Sequence, residues 1–323
     1  MTEMKLVVAE GTALDRVLEA THEIWSDGLT RRAYDRFNEA QTRTPWGRTH
    51  LRRFVLVGDT GDVLSSAKRY DLRGRLDGRE VSIVGIGAVF TPAGSRGRGF
   101  ARAIVEEIAT AASADGAELA LLFSEIDPAY YQASGFVAVP RREQVIGVRA
   151  SRGAPMMLVR AGVDADIPAV TALARTMNAA HRFALYHDED FLRFSLSKKR
   201  LLAGFLPPGD LSVEFHVVEE GAGAVAFAVL TVTGEDVVLE MCGDRDPTGA
   251  RVGGLLQTLR AREPRETMPQ VTGFLPPGWC PPQVELSAGS MVREVMMVRP
   301  LRAGLLDAPL RDADVLYWHG DLF

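Results

Sequence analysis

Residues 89–101, VFTPAGSRGRGFA, combine bare backbone with positive charge in one short stretch of the chain. Three glycines and two arginines fall within residues 94–99, and the segment RAIVEEIATAA at 102–112 has the apolar spacing of a helix. Glycines let a ligand approach the main chain closely, and the first amides of a helix attract anions. This combination favours a phosphate or pyrophosphate bound at the start of a helix.

The spacing argues against two common phosphate loops. A dinucleotide fingerprint G-x-G-x-x-G that began at Gly97 would need glycine where the chain has Arg102. A Walker loop spanning residues 94–99 would continue with lysine and serine or threonine, where the chain has Phe100 and Ala101. Because no residue is placed for the metal or the terminal phosphate, we do not expect a nucleoside triphosphate.

The elements that must position this loop follow from hydrophobic periodicity. The first half reads as strand, two helices, three strands, helix, strand, short helix and strand, and the glycine loop comes after the fourth strand. The continuous apolar run at 117–124 predicts a strand buried on both faces and paired in parallel. The second half, from about residue 155, repeats this layout, so the sequence predicts an α/β chain with mixed sheets.

The loop also matches a known signature. Arg96-x-x-Gly99-x-Ala101 fits [RQ]-x-x-G-x-[GA], the coenzyme A pyrophosphate signature of the GNAT superfamily of N-acetyltransferases, which the chain resembles here. The segment from Tyr131 to Phe136 resembles the Tyr-x-x-x-Gly-Phe segment that follows the fifth strand in this family. The string VFTP is similar to lysine N6-acetyltransferases, and Ser-Glu at 124–125 is similar to the enhanced intracellular survival acetyltransferases, a multi-domain branch.

This resemblance implies a GNAT fold that uses acetyl-CoA as co-substrate, with no metal. The expected domains are a catalytic GNAT domain at 1–150, a degenerate GNAT-like domain at 151–300 and a docking tail at 301–323. In the family the fourth strand carries a bulge and splays from the fifth, which exposes main-chain groups to the cofactor. The residues implied to contact acetyl-CoA are Val89, Phe90, Thr91, Arg96, Gly97, Arg98, Gly99, Phe100, Ala101, Arg102 and Ser124.

Two proton transfers accompany acetylation of an amine. Tyr131 holds the family position for the general acid that protonates the leaving thiolate, with Tyr130 as the fallback. The base is either Glu125 or, as in the enhanced intracellular survival branch, the C-terminal carboxylate, here that of Phe323. The aromatic tail with Trp318 predicts a docked terminus, either in the cleft or packed between domains.

The acceptor is expected to be a small primary amine attacked directly in a ternary complex: an amino acid such as lysine, a polyamine or an amine-bearing antibiotic. Trp25 and Asp27 on the acceptor side, and Asp127 at the cleft mouth, are candidates for binding it; ordinary cap and surface roles are the alternative. A non-catalytic acyl-CoA sensor and a protein-lysine acetyltransferase are the other functions that fit the sequence. The sequence does not choose between a monomer and a homodimer.

The second half has its own loop, CGDRDPTGARVGG, which lacks the signature. Asp244 and Asp246 stand where a pyrophosphate would lie and would repel it, and Cys242 reads as a buried structural thiol.

The chain has 323 residues, a net charge of −5 and two cysteines, which predicts neither a nucleic-acid partner nor a disulfide framework. Without a long apolar run, we expect a cytoplasmic protein that does not bind membranes.

Overall fold

The computed structural model describes residues 4–150, 157–221, 223–234, 236–262 and 270–323. It divides the chain into two compact units: residues up to Pro140 with Arg293–Leu310 and Phe323 form the first, and Arg141–Val292 with Arg311–Leu322 form the second. The sequence predicted continuous domains, whereas the structure returns a late segment of the chain to the first unit. The predicted boundary between residues 150 and 151 falls at the edge of the described residues, since 151–156 lie outside them.

The helices and strands of the first half follow the predicted order, except that a third, short helix precedes the second strand. Those before Pro140 are β1 (Lys5–Val8), α1 (Gly11–Trp25), α2 (Arg31–Arg43), α3 (Pro45–His50), β2 (Leu51–Val57), β3 (Val63–Leu76), β4 (Arg79–Phe90), α4 (Phe100–Ala114), β5 (Leu119–Ser124), α5 (Ala129–Gln132) and β6 (Val137–Val139). Those of the second segment are β7 (Arg142–Val148), β8 (Leu158–Ala161), α6 (Ile167–Asn178), β9 (Phe183–Leu185), α7 (Glu189–Phe205), β10 (Ser212–Glu220), β11 (Gly223–Thr233), β12 (Asp236–Asp244), α8 (Ala250–Arg262), β13 (Gln270–Gly273) and β14 (Val284–Met291). The chain closes with β15 (Val295–Pro300) in the first unit and β16 (Val315–Leu316) in the second.

The sheet of the first unit runs in the order β1-β2-β3-β4-β5-β15-β6. β4 and β5 pair in parallel, as the apolar run at 117–124 predicted, and α4 forms the crossover between them. β15 pairs antiparallel with both β5 and β6, which makes the sheet mixed. β5 therefore lies inside the sheet, and this explains why its sequence is apolar without alternation.

Helix α4 packs on one face of this sheet. Its residues Ile104, Val105 and Ile108 are at most 1% exposed and pack with Val84 and Ile86 of β4. Burying each such side chain contributes about 1.5–3 kcal/mol, which holds the helix axis and therefore the position of its first turn. The glycine loop thus begins a helix anchored to the strand that precedes it.

The second unit has a mixed sheet of its own, in the order β14-β7-β13-β12-β11-β10-β8. β12 and β13 pair in parallel on either side of α8 in the chain, and the remaining neighbours on this path pair antiparallel. The unit repeats the layout of the first: a strand, helices, a three-strand meander, then a loop and a helix. This arrangement confirms the predicted mixed α/β fold with two sheets.

The C-terminal tail is docked, as its aromatic residues predicted. Tyr317 and Trp318 are each 1% exposed, and Arg141 places its guanidinium 4.9 Å from the Tyr317 ring. Arg141 also donates through Nη1 to the Tyr317 carbonyl oxygen at 3.0 Å. His187 and Asp321 form a buried pair, with 2.5 Å between Nε2 and Oδ1. All these contacts lie within the second unit.

Three further observations concern features that the sequence predicted to be inert or absent. Cys242 is fully buried, and burial, with Asp244 nearby, raises the pKa of its thiol, which suits a structural residue. Across the described ranges, no three histidine, cysteine or acidic residues gather in a way that could hold a metal ion. In the same part of the chain, no helix has the length and apolar character needed to cross a membrane.

Candidate active site

The glycine loop presents open backbone at the start of α4. Gly97 and Gly99 have φ values of 73° and 82°, in the left-handed region that glycine adopts without strain. A Cβ added at either position, or at Gly94, would meet no heavy atom of the described residues within 4 Å. The first amides of a helix have no partner inside it, so those beginning at Gly99 are available to an anion.

Three arginines surround these amides. Arg96 donates through Nε to the Thr91 carbonyl oxygen at 3.1 Å, and Arg102 donates through Nη2 to the Ala133 carbonyl oxygen at 3.0 Å. Arg98 places its guanidinium 4.8 Å from the ring centre of Phe100. A guanidinium carries several N–H groups, so these contacts orient the arginines and leave donors for a phosphate.

Strand β4 carries a bulge just before the loop. Ser66 pairs with Phe90 and Lys68 pairs with Gly87, so the β4 segment 88–89 faces a single residue of β3. The first residue of that segment has φ 48°, which is rare for a residue other than glycine. The bulge turns main-chain groups of β4 out of the sheet pairing, where a ligand can reach them.

The bulge lies slightly earlier than the resemblance implied. Ser65 donates from Oγ to the Phe90 carbonyl oxygen at 2.8 Å and lies 3.1 Å from Oγ1 of Thr91. Phe90 and Thr91 therefore already have partners on β3, through Ser65. The residues of the bulge itself are Ala88 and Val89. Sequence reasoning missed Ala88, because an alanine with positive φ carries no sequence signature.

Strands β4 and β5 separate beyond the point where they pair. Their parallel register ends at Gly85 and Leu121, yet β4 continues to Phe90 and β5 continues to Ser124. A parallel pair that opens in this way leaves main-chain donors and acceptors facing each other across a gap. The part of β4 beyond this pairing contains the bulge, and the glycine loop follows it in the chain.

Phe323 lies on the face of the sheet opposite α4. Its ring centre is 4.5 Å from that of Tyr70 on β3 and 5.2 Å from that of Phe123 on β5. A Cβ at Gly85 would lie 2.6 Å from Cζ of this ring, and one at Gly87 would lie 2.8 Å from the main-chain oxygen of Phe323. The two glycines therefore make the space in which Phe323 sits, and the main-chain oxygen of Phe323 lies directly before the bulge.

Tyr131 lies in α5, the short helix that follows β5. It is 9% exposed and packs edge-on against Phe136, with 6.1 Å between ring centres, and against Tyr130 at 5.1 Å. Burial, with a smaller contribution from Tyr130, raises the pKa of the Tyr131 phenol to about 12. The phenol therefore keeps its proton throughout the physiological pH range and can donate it.

The other residues predicted at the end of β5 have local roles. Ser124 donates from Oγ to the Ile126 carbonyl oxygen at 2.8 Å. Asp127 accepts from the Ala129 amide at 2.9 Å and so caps α5. Glu125 is half exposed, with one carboxylate oxygen 3.8 Å from Nη2 of Arg293. The cap role of Asp127 is the alternative that the sequence left open beside substrate binding.

Trp25 and Asp27 are the two residues predicted on the acceptor side. Trp25 is the last residue of α1, and Asp27 lies in the turn that follows. The Trp25 ring lies edge-on to the Phe90 ring, with 6.3 Å between their centres, so the structure brings Trp25 to the bulge. Asp27 is exposed and has φ 50°, which places it in the left-handed turn after α1. Trp25 thus adjoins the bulge strand, whereas Asp27 has a clear part in the turn.

In the second unit the corresponding helix start is filled by the protein itself. Asp244 accepts through Oδ2 from the Arg251 amide at 2.9 Å and from the Val252 amide at 3.0 Å. Asp246 accepts from the Thr248 amide at 2.9 Å. The first amides of α8 already bind a carboxylate, so this helix start offers neither free donors nor favourable charge to a phosphate.

Residues 16–139 match the family described as the acetyltransferase (GNAT) domain. This segment contains β4 with its bulge, the glycine loop, α4 and Tyr131. The first unit therefore carries a segment that matches the acetyltransferase (GNAT) domain. No curated protein matches the chain in sequence.

Solved structures of the same fold extend over both units. A GCN5-related N-acetyltransferase from Kribbella flavida has a TM-score of 0.66 at 17% identity, covering 94% of this chain and 72% of that one. Eis1 from Mycobacterium abscessus has a TM-score of 0.58 at 11% identity, covering 93% and 74%. N-myristoyltransferase from Saccharomyces cerevisiae with bound myristoyl-CoA has a TM-score of 0.53 at 10% identity, covering 93% and 79%. The likeness to Eis1 agrees with the sequence resemblance to the enhanced intracellular survival branch.

A pair of glycines at opposite ends of α4 tests the anion site. Gly99→Ala and Gly116→Ala each force an L-residue into positive φ, at 82° and 99°, with open space around the new methyl group. Both should destabilise the protein by about 1–2 kcal/mol. Only Gly99→Ala should weaken acetyl-CoA binding, because its methyl group would hold the pyrophosphate away from the main-chain amides. The loss of one charge-assisted hydrogen bond costs about 1.5–3 kcal/mol, so affinity should fall about tenfold or more.

Calorimetric titration with acetyl-CoA and thermal unfolding of both variants give the two readings. If both variants lost cofactor affinity equally, the effect would belong to folding rather than to the loop. If neither lost affinity, the start of α4 would not be the pyrophosphate site.

Proposed function

We propose that the protein transfers the acetyl group of acetyl-CoA to a primary amine of a small molecule, by direct attack in a ternary complex. The observation that carries this proposal is the Phe323 carboxyl group, which lies against Gly87, directly before the bulge of β4. An amine that reached the bulge would meet a thioester on one side and a carboxylate on the other. That is the arrangement that an N-acetyltransferase needs.

The cofactor would bind along the open edges of the first unit. The pyrophosphate would lie on the amides that begin at Gly99, with Arg96, Arg98 and Arg102 around it. The pantetheine arm would enter the gap between β4 and β5 and pair with their unpaired main-chain groups. A bulge amide, at or next to Val89, would donate to the thioester oxygen and stabilise the negative charge that develops there.

The proton of the acceptor ammonium must leave before the nitrogen can attack, because an ammonium has no lone pair. Phe323 is the better candidate for this base, since its carboxyl group lies on β4 beside the bulge. Glu125 is half exposed at the end of β5 and faces Arg293, which favours a surface role. A base must come within hydrogen-bond reach of the proton that it takes, and the position of Phe323 meets that condition better.

The leaving thiolate takes its proton from Tyr131. As the carbon–nitrogen bond forms, the carbon–sulfur bond breaks, and the phenol proton moves to the sulfur of coenzyme A. The first proton of the ammonium passes to the carboxylate before the attack, the second leaves the acylated nitrogen and restores the Tyr131 phenol through solvent, and the carboxylate then releases its proton to solvent. The phenol is buried among Phe136 and Tyr130, where water competes little for the proton transfer.

The second unit would not bind a cofactor of its own, because Asp244 occupies the start of α8. We propose that it is a degenerate GNAT-like copy. Acetyl transfer would then occur at one site per chain.

A thiol-release assay with acetyl-CoA tests this function across a panel of amines: amino acids led by lysine, polyamines, aminoglycosides and a lysine-containing peptide. We expect release that depends on the amine and a matching acetylated product by mass spectrometry. Incubation without amine measures hydrolysis and serves as the control. Binding of acetyl-CoA without thiol release for every small amine would overturn the proposal, and release with the peptide alone would replace the small acceptor with a protein.

A further inference from the structure

The sheet face that carries Phe323 also carries two basic residues. Arg53 on β2 pairs in register with Lys68 on β3, and Lys68 pairs with Gly87 on β4. Residues that are directly opposite in neighbouring strands share a face of the sheet. Arg53, Lys68 and the Phe323 carboxyl group thus follow one another across three strands.

Arg53 is a buried guanidinium with incomplete pairing. It is 8% exposed, and its Nη2 donates to the Asn38 side-chain oxygen on α2 at 3.3 Å. Within the described ranges, its buried Nη1 makes no hydrogen bond, and no carboxylate lies at ion-pair distance from the guanidinium. Burial lowers the pKa of Arg53, and the phenols of Tyr34 and Tyr70 oppose that shift. An arginine nevertheless stays charged at neutral pH.

A buried charge without a counter-ion is costly. The effective penalty is several kcal/mol for each ion after the protein has relaxed around it. Arginine is also the side chain whose flat fork best matches a carboxylate, with two parallel hydrogen bonds. The vacant donor on Arg53 is therefore suited to an anionic group that arrives with a ligand.

We propose that Arg53 binds a carboxylate of the acceptor, so that the acceptor is an amine that also carries a carboxyl group. This inference rests on the proposed function, because it places the reacting amine beside Phe323. β2 and β4 are two strand spacings apart, about 10 Å, which an extended molecule with its amine and carboxylate at opposite ends can span. Polyamines and aminoglycosides would instead bring positive charge toward Arg53 and Lys68, which repel it.

Matched pairs of amines that differ only in the carboxyl group test this assignment. Lysine is compared with cadaverine, ornithine with putrescine, and 6-aminohexanoate with hexylamine, each titrated by calorimetry into the protein loaded with coenzyme A. We expect the carboxylate-bearing member of at least one pair to bind about tenfold or more tightly than its partner. Arg53→Met should remove that preference by weakening the carboxylate-bearing member about 10- to 100-fold, while its partner is unaffected.

Arg52→Met is the matched control. Arg52 is the exposed neighbour of Arg53 on the same strand and donates to the Thr49 carbonyl oxygen at 2.8 Å, so its loss should leave the preference intact. Coenzyme A affinity and thermal unfolding report whether Arg53→Met folds; should it not, Arg53→Lys, which keeps the charge but loses the fork, should weaken binding by a smaller factor.

The inference is overturned if no pair prefers the carboxylate, or if the preference survives in the Arg53 variants. The thiol-release assay separates this outcome from the fate of the proposed function. Release with polyamines and without any dependence on Arg53 would keep the function and reject the inference. Carboxylate binding through Arg53 without any thiol release would keep the binding assignment and reject the function.

Discussion

Replacing Tyr131 by phenylalanine should lower kcat by about 10²- to 10⁴-fold, the usual contribution of a general acid, and leave acetyl-CoA affinity unchanged. The phenolic hydroxyl is the only group lost, and the ring keeps its packing against Phe136 and Tyr130. Steady-state kinetics give kcat, and calorimetric titration with acetyl-CoA gives the affinity.

The neighbouring residue supplies the control. Tyr130 is 43% exposed, so Tyr130→Phe should leave kcat near that of the wild type. A full loss in Tyr130→Phe with an active Tyr131→Phe would move the general acid to Tyr130. Full activity in both variants would remove the tyrosine from the mechanism.

The raised pKa of Tyr131 also predicts a pH profile. Burial favours the neutral phenol, so the proton is bound at every pH below about 12 and is lost only as the pH rises through that value. The alkaline limb of kcat for the wild type should therefore contain no ionisation of this tyrosine near its ordinary pKa of about 10. An alkaline fall near that pH that disappears in Tyr131→Phe would show that the phenol ionises earlier and would contradict its burial.

Adding one alanine after Phe323 should lower kcat/KM by about 10²-fold or more, because the main-chain carboxylate at position 323 becomes a neutral amide that cannot take a proton. The new carboxylate would lie about 3.8 Å further along the chain, in a space that Gly85 and Gly87 leave for Phe323 alone. Kinetics with the best amine of the panel measure the loss, and mass spectrometry of the C-terminal peptide shows where each purified protein ends.

Two variants complete this experiment. Phe323→Leu keeps the carboxylate and loses only the ring contacts with Tyr70 and Phe123, so its activity should fall far less than that of the extended chain. Glu125→Gln should retain activity. A normal rate in the extended chain, together with a large loss in Glu125→Gln, would transfer the role of base to Glu125.

Local chemistry accounts for the features that the sequence predicted correctly. Glycine at positive φ, the apolar stripe of α4 and the unbroken apolar run of β5 each depend on a few neighbouring residues, so the loop, the helix and the parallel pairing followed from spacing. The degenerate start of α8 was also visible, because Asp244 lies where its carboxylate can reach the amides of the next helix. The roles of Tyr131 and Phe323 remain predictions that the proposed kinetics test.

Other features depend on residues that are far apart in the chain, and no sequence spacing reports them. The sequence does not explain why β4 has glycine at positions 85 and 87. In the structure, Phe323 lies over both, where a side chain would clash with it. The unpaired Nη1 of Arg53 could not be predicted from the sequence, because its burial depends on α2, β2 and β3 packing around it. The return of β15 beside β5 likewise required the folded chain.

The sequence by itself determined the glycine loop and the positive charge at the start of α4, since such a loop is built from consecutive residues whose backbone angles and charges are local properties. Only the tertiary structure decided which groups share the face proposed for the acceptor, since that face collects β2, β3, β4, β5 and Phe323. Its members meet because burial of apolar surface brings distant strands together, and this interaction has no fixed direction along the sequence.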